Sequence, residues 1–88
     1  MKNTQIKIYI YYRDLPLSLS TYIQADGNMS LVKDGVKQGV GHACPRATLY
    51  IDKTDPIRDE KRLDELLKLL VELENNNQIV GHATKRYT

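Results

Sequence analysis

Near the N-terminus, Ile6-Lys7-Ile8-Tyr9-Ile10-Tyr11 alternates strictly between aliphatic residues and polar or aromatic ones. Successive side chains of an extended strand point to opposite sides, so this period of two describes a strand with one dry face and one of different character. A helix would scatter the three isoleucines around its circumference. The chain must therefore build a sheet. Its first strand, Gln5 to Tyr12, buries Ile6, Ile8 and Ile10 and turns Lys7, Tyr9, Tyr11 and Arg13 the other way.

The same periodicity extends through the first 52 residues. Leu17 to Ala25 reads as a strand in which Leu17, Leu19, Ile23 and Ala25 oppose Ser18, Ser20, Tyr22 and Gln24. Asp26-Gly27-Asn28 is a turn signal leading into Met29-Ser30-Leu31-Val32, and Lys33-Asp34-Gly35 turns the chain again. Val36 to Ala43 can extend, weakened by Gly39 and Gly41, before Cys44-Pro45 interrupts it. Ala47, Leu49 and Ile51 then oppose Thr48, Tyr50 and Asp52. On this reading Tyr9, Tyr11, Tyr22 and Tyr50, four of six tyrosines, lie on the face away from the aliphatic core. The chain has no Phe or Trp.

A helix follows, over about 56–74. Asp55 can cap it, Pro56 suits the first helical position, and Asp59 and Glu60 favour the positive end of the dipole. Leu63, Leu66, Leu67, Leu70 and Leu73 form an apolar stripe, and Asn75-Asn76-Asn77 supplies residues that tolerate a left-handed exit. Leu69 and Val71 widen the stripe, which points either to deep burial or to a homodimer contact through the helix or the last strand. Gln78 to Tyr87 closes the chain as that strand. The expectation is an α+β fold: an antiparallel sheet of four to six short strands, with one long helix on one face and a C-terminal strand.

Eighty-eight residues, 41% of them hydrophobic, bound this to a single small domain spanning 1–88 with one modest core. A net charge of +2 is too small to name a nucleic-acid partner by its total, so any such argument rests on how the charge is arranged. The single cysteine, Cys44, cannot close an internal disulfide, which favours a reducing, cytoplasmic setting. No apolar run approaches a membrane span, and Met1-Lys2-Asn3-Thr4 lacks the apolar core of a signal peptide, so a mature, soluble chain without membrane contact is expected.

One segment recurs. Val40-Gly41-His42-Ala43-Cys44-Pro45-Arg46-Ala47-Thr48 and Val80-Gly81-His82-Ala83-Thr84-Lys85-Arg86-Tyr87-Thr88 share six of nine residues, and they carry both histidines. If each copy is extended, His42, Cys44, Arg46 and Thr48 share one side, as do His82, Thr84, Arg86 and Thr88. Gly41, Ala43, Gly81 and Ala83 would then let the helix approach. Two imidazoles and two guanidiniums would converge on the tyrosine-bearing face as a cradle for phosphate oxygens.

Tyrosines stack on bases without demanding one sequence, and Lys and Arg hold phosphates. The first functional expectation is accordingly a binding module for nucleic acid or a nucleotide-like, phosphate-bearing ligand. Its contacts would be Lys7, Tyr9, Tyr11, Arg13, Tyr22, His42, Arg46, Tyr50, His82 and Arg86. The alternative is a protein-binding inhibitor or adaptor using the same face or the leucine-rich helix, since Tyr and Arg also dominate protein interfaces. A third reading is catalytic. His82-Ala83-Thr84 resembles the His-x-Thr motif of the two-histidine phosphoesterases, and that resemblance implies phosphodiester cleavage by His42 and His82 as general base and acid. His42-Ala43-Cys44 departs from the pattern by lacking the hydroxyl.

His42, Cys44 and His82 could also offer three ligands to zinc or copper, but no Cys-x-x-Cys pair accompanies them, so neither metal nor cofactor is expected. Finally, Leu19-Ser20-Thr21-Tyr22-Ile23-Gln24-Ala25-Asp26-Gly27 resembles the LAGLIDADG motif of homing endonucleases at five of nine positions, including the acidic one at Asp26. That motif ends a helix. A strand closing in an Asp-Gly turn explains the same letters.

Overall fold

The first strand, β1 (Thr4–Tyr11), takes the centre of the sheet and is antiparallel to both neighbours. The computed structural model describes residues 4–36 and 45–87. Along these the order is β1, α1 (Leu17–Gln24), β2 (Met29–Val36), β3 (Pro45–Lys53), α2 (Pro56–Asn75) and β4 (Gly81–Tyr87). The strands lie in the order β2-β3-β1-β4, the split-βαβ arrangement of a βαββαβ chain. The α+β expectation holds, with four antiparallel strands, the long helix packed on them and a C-terminal strand.

The core is almost wholly aliphatic. Ile6, Ile8 and Ile10 from β1, Leu49 and Ile51 from β3, and Met29 from β2 meet Leu19 and Ile23 of α1 and Leu63, Leu66, Leu70 and Leu73 of α2. Fully burying one such side chain contributes about 1.5–3 kcal/mol, so this layer supplies the main driving force. Both helices cover the isoleucine face. The breadth of the leucine stripe is used within the chain: Leu67 and Leu69 pack partly buried against the core, and only Val71 remains exposed.

The start of α2 follows from its letters. Asp55 accepts hydrogen bonds from the Ile57 and Arg58 amides, and Asp59, almost fully buried, reaches back to accept from the Thr54 and Asp55 amides at 2.6 and 3.0 Å. This reciprocal arrangement satisfies orphan donors of the first turn. At the other end Asn77 takes a positive φ of 58°, and the Gln78 amide donates to the Leu73 carbonyl at 2.8 Å. The asparagine exit is as expected.

Two local expectations are corrected. Leu17 to Ala25 is not a strand: Leu17–Gln24 forms α1. Leu19 and Ile23 are four residues apart, a spacing that puts both on one side of a helix as readily as of a strand. What separates the two is Leu17 and Ala25, which a strand would have buried and which are both exposed, Leu17 at 81%. Pro16 ends the preceding extended segment with φ −62° and ψ 137°, and its carbonyl accepts from Ser20 to begin the first turn.

Lys33-Asp34-Gly35 is likewise not a turn, because β2 runs on through it to Val36. Lys33 pairs with Ala47 and Gly35 with Arg46, so Asp34 is the extra residue of a β-bulge. The expected strand from Val36 to Ala43, with His42 and Cys44, lies outside the described residues apart from Val36, which ends β2.

Candidate functional site

Both helices cover the same side, so among the described residues the opposite side of the sheet is open, and strand register decides what it carries. On β1 it presents Lys7, Tyr9 and Tyr11. Opposite them on β3 stand Tyr50, Thr48 and Arg46, and on β4 stand Lys85, Ala83 and Gly81. Gln5, at the far end, is flanked by Asp52 and Tyr87.

Four of the six tyrosines occupy this face, as expected in number, but Tyr87 takes the place assigned to Tyr22. Tyr9 on β1 and Tyr50 on β3 are diagonal neighbours on the two central strands. Their partners are cations. The Lys7 ammonium lies 5.4 Å from the Tyr50 ring centroid and 4.9 Å from that of Tyr87, bridging two rings. Arg46 and Lys85 flank Tyr9 at 5.4 and 5.7 Å. These distances fall within cation–π range, where the ring faces hold the charges without neutralising them.

A shallow depression opens among Tyr9, Tyr11, Arg46, Ala83 and Lys85. Ala83, opposite Tyr9 in the register, lines it with a single methyl group. Asp34 is the main negative element beside it. From the β2 bulge its Oδ2 accepts from Arg46 Nε at 3.3 Å and from the Thr48 hydroxyl. Thr48 itself is almost fully buried.

The structure redistributes several expected contacts. Lys7, Tyr9, Tyr11, Arg46 and Tyr50 share the open face. Tyr22 does not: it sits on α1, where its hydroxyl donates to the Arg62 carbonyl at 3.2 Å and to Glu65 at 3.1 Å beneath the Arg62 guanidinium. Burial, with the Glu65 hydrogen bond adding to it, pushes its phenol up to about 12. Arg13 lies beyond the end of β1 and lines a separate polar depression with Glu74, Asn77 and Gln78 at the C-terminal end of α2.

His82, Thr84 and Arg86 fall opposite Ile10, Ile8 and Ile6, which places them on the helix side, the reverse of the expected parity. His82 Nδ1 contacts Glu74 of α2. The converging cradle of the two copies is therefore not formed by the second copy as drawn: Arg46 faces the open side and Arg86 the other. His42 and Cys44 lie outside the described residues.

Lys85, Tyr87 and Asp34 are the members that sequence reasoning missed. Asp34 was hidden in an apparent turn. Lys85 and Tyr87 were lost because β4, Gly-His-Ala-Thr-Lys-Arg-Tyr, has no apolar face from which parity can be read. Its register is set from outside, by Val80, whose amide donates to the Tyr11 carbonyl at 2.7 Å, and by Ile79, which is buried in the core.

Among the described residues no cluster of three metal-ligating side chains occurs, and no helix is long and apolar enough to cross a membrane. Asp26, the acidic position of the LAGLIDADG-like segment, is buried against Arg58 and Arg62, so its carboxylate is already engaged. Compared with family models, curated proteins and solved structures, the chain matches none.

Proposed function

We propose that the open sheet face binds single-stranded nucleic acid, with Tyr9 and Tyr50 as stacking platforms, Tyr11 and Tyr87 extending them, and Lys7, Lys85 and Arg46 meeting the phosphates. The observation that carries this reading is the placement of tyrosines on both central strands, interleaved with cations, on the one face that neither helix covers. Four-stranded sheets that stack two or three unpaired bases on aromatic residues are a recurrent solution to RNA recognition, because an unstacked base offers a π-face and a duplex does not. The single Cys44 suits a reducing compartment where such strands are present.

The reaction is recognition. Bases displace the cations from the ring faces, and the cations, on flexible stems, move to phosphate oxygens. With three cations on the face, the slope of log affinity against log salt should not exceed about −2.

Fluorescence anisotropy with labelled ten-nucleotide oligouridylate and oligothymidylate tests this. The wild type should bind saturably at low salt, and a Tyr9→Ala, Tyr50→Ala double variant should bind roughly thirty-fold or more weakly, since each stacked base is worth about 1–3 kcal/mol. Absence of wild-type binding at low salt removes the reading and moves the face to a protein partner.

A further inference from the structure

The bulge in β2 has a chemical consequence on the open face. A bulge displaces one residue from the ladder, and here that residue is Asp34. Its carboxylate reaches across to β3 and engages Arg46 Nε at 3.3 Å together with the Thr48 hydroxyl. One cationic donor and one hydroxyl converging on a single oxygen is also how a phosphate oxygen is held. The Arg46 and Asp34 side chains are 26% and 23% exposed, and Arg46 lines the depression that holds Tyr9. Thr48 is almost fully buried, and among the described residues its hydroxyl donates to Asp34.

We infer that Arg46 and Thr48 form a phosphate subsite next to the Tyr9 platform, and that in the free protein the Asp34 carboxylate occupies it as an internal stand-in for the phosphodiester. This rests on the proposed stacking face. A strand laid across Tyr9 brings a phosphate to Arg46 and Thr48, and Asp34, on the exposed edge strand, swings out to water. Asp34 thus weakens binding overall and screens Arg46 from anions that bring no base to stack. It favours a phosphate joined to an aromatic base over free phosphate, a selectivity that the cations alone would not supply.

The test compares the wild type with Asp34→Asn, Asp52→Asn and Arg46→Gln, using labelled oligouridylate over a salt series, with circular dichroism to establish folding. Asparagine keeps the shape of Asp34 while removing its charge. The expected result is about three- to five-fold tighter binding for Asp34→Asn, the scale of a partly exposed ion pair, with the salt slope steeper by about 0.7. Asp52→Asn removes the same charge at the far end of the face and should change affinity by less than about two-fold. In the Asp34→Asn background Arg46→Gln should abolish the gain, because the gain is read through the released guanidinium.

Equal gains from Asp34→Asn and Asp52→Asn, or no gain from Asp34→Asn while the wild type binds, overturn the subsite and leave the stacking face standing. A gain from Asp34→Asn that persists when Arg46→Gln is added also overturns it. No wild-type binding removes both.

Discussion

Asp26 is the residue whose removal should do most to detach α1 from the rest of the molecule. Its side chain is 1% exposed. One oxygen accepts from the Asn28 amide at 2.9 Å and lies 3.2 Å from Arg58 Nη2; the other lies 3.4 Å from Arg62 Nε. Arg62 in turn donates to the Tyr22 carbonyl and stacks 3.9 Å over the Tyr22 ring. A single carboxylate thus joins the end of α1, the turn into β2 and the first half of α2. Removing one partner of a buried pair ordinarily costs about 3–5 kcal/mol, because the other charge is left dry. Here the side chains of Arg58 and Arg62 are 52% and 24% exposed and their charges can regain water, which lowers the cost of Asp26→Ala to about 2–3 kcal/mol. For a chain of this size that is a fall in Tm of about 10–20 °C. Asp26→Asn keeps an acceptor for the Asn28 amide and should lose about half as much. Urea denaturation followed by circular dichroism measures both, with the slope m expected to stay constant. A loss below about 0.5 kcal/mol for Asp26→Ala would refute the argument, as would strict additivity with Arg62→Ala.

Two further outcomes follow from α1. Leu19→Ala should cost about 2–5 kcal/mol by leaving a cavity, whereas Leu17→Ala, at a position 81% exposed, should stay within about 0.5 kcal/mol; comparable losses at the two sites would restore the strand assignment. The Tyr22 phenol, raised to about 12, should contribute tyrosinate absorbance at 295 nm only near that pH. Its neutral form is the one favoured by folding, so the stability it contributes is present below the unfolded value near 10 and is lost as pH rises from there toward 12. The difference titration between wild type and Tyr22→Phe reads this directly, and a transition near pH 10 would contradict it.

The parts of the fold that the sequence made legible are those where one periodicity excludes the other. Ile6, Ile8 and Ile10 can share a face only in a strand, and Leu63, Leu66, Leu70 and Leu73 only in a helix, so β1 and α2 were readable together with their buried residues. Asp55, Pro56 and Asn77 punctuated α2 because caps and left-handed exits have few residue solutions. Leu19 and Ile23 satisfy both periods, so α1 turned on whether Leu17 was buried, a tertiary fact. Asp34-Gly35 carries the letters of a turn, and only pairing with β3 converts it to a bulge. On the open face, the residues of β1 and β3 were legible because each strand has an aliphatic side to fix parity. Those of β4 were not, because none of its residues belongs to the core.

That asymmetry bears on what the face is for. The core is built from isoleucine, leucine, methionine and alanine without a single aromatic ring among its fully buried side chains, although aromatic residues bury more area per residue than any other type. Four tyrosines stand instead on the side that neither helix covers, where folding recovers only part of their area. Cross-strand contacts with Lys7, Lys85 and Arg46 return some of it, at about 0.2–1 kcal/mol per pair, which threonine or valine on the same positions would also supply through packing and strand propensity. What those residues would not supply is a set of flat, sequence-indifferent π-surfaces with cations on flexible stems beside them. Ala83 leaves space beside Tyr9 at some cost to β4 as a strand, and it is this space that the proposed stacking face would use.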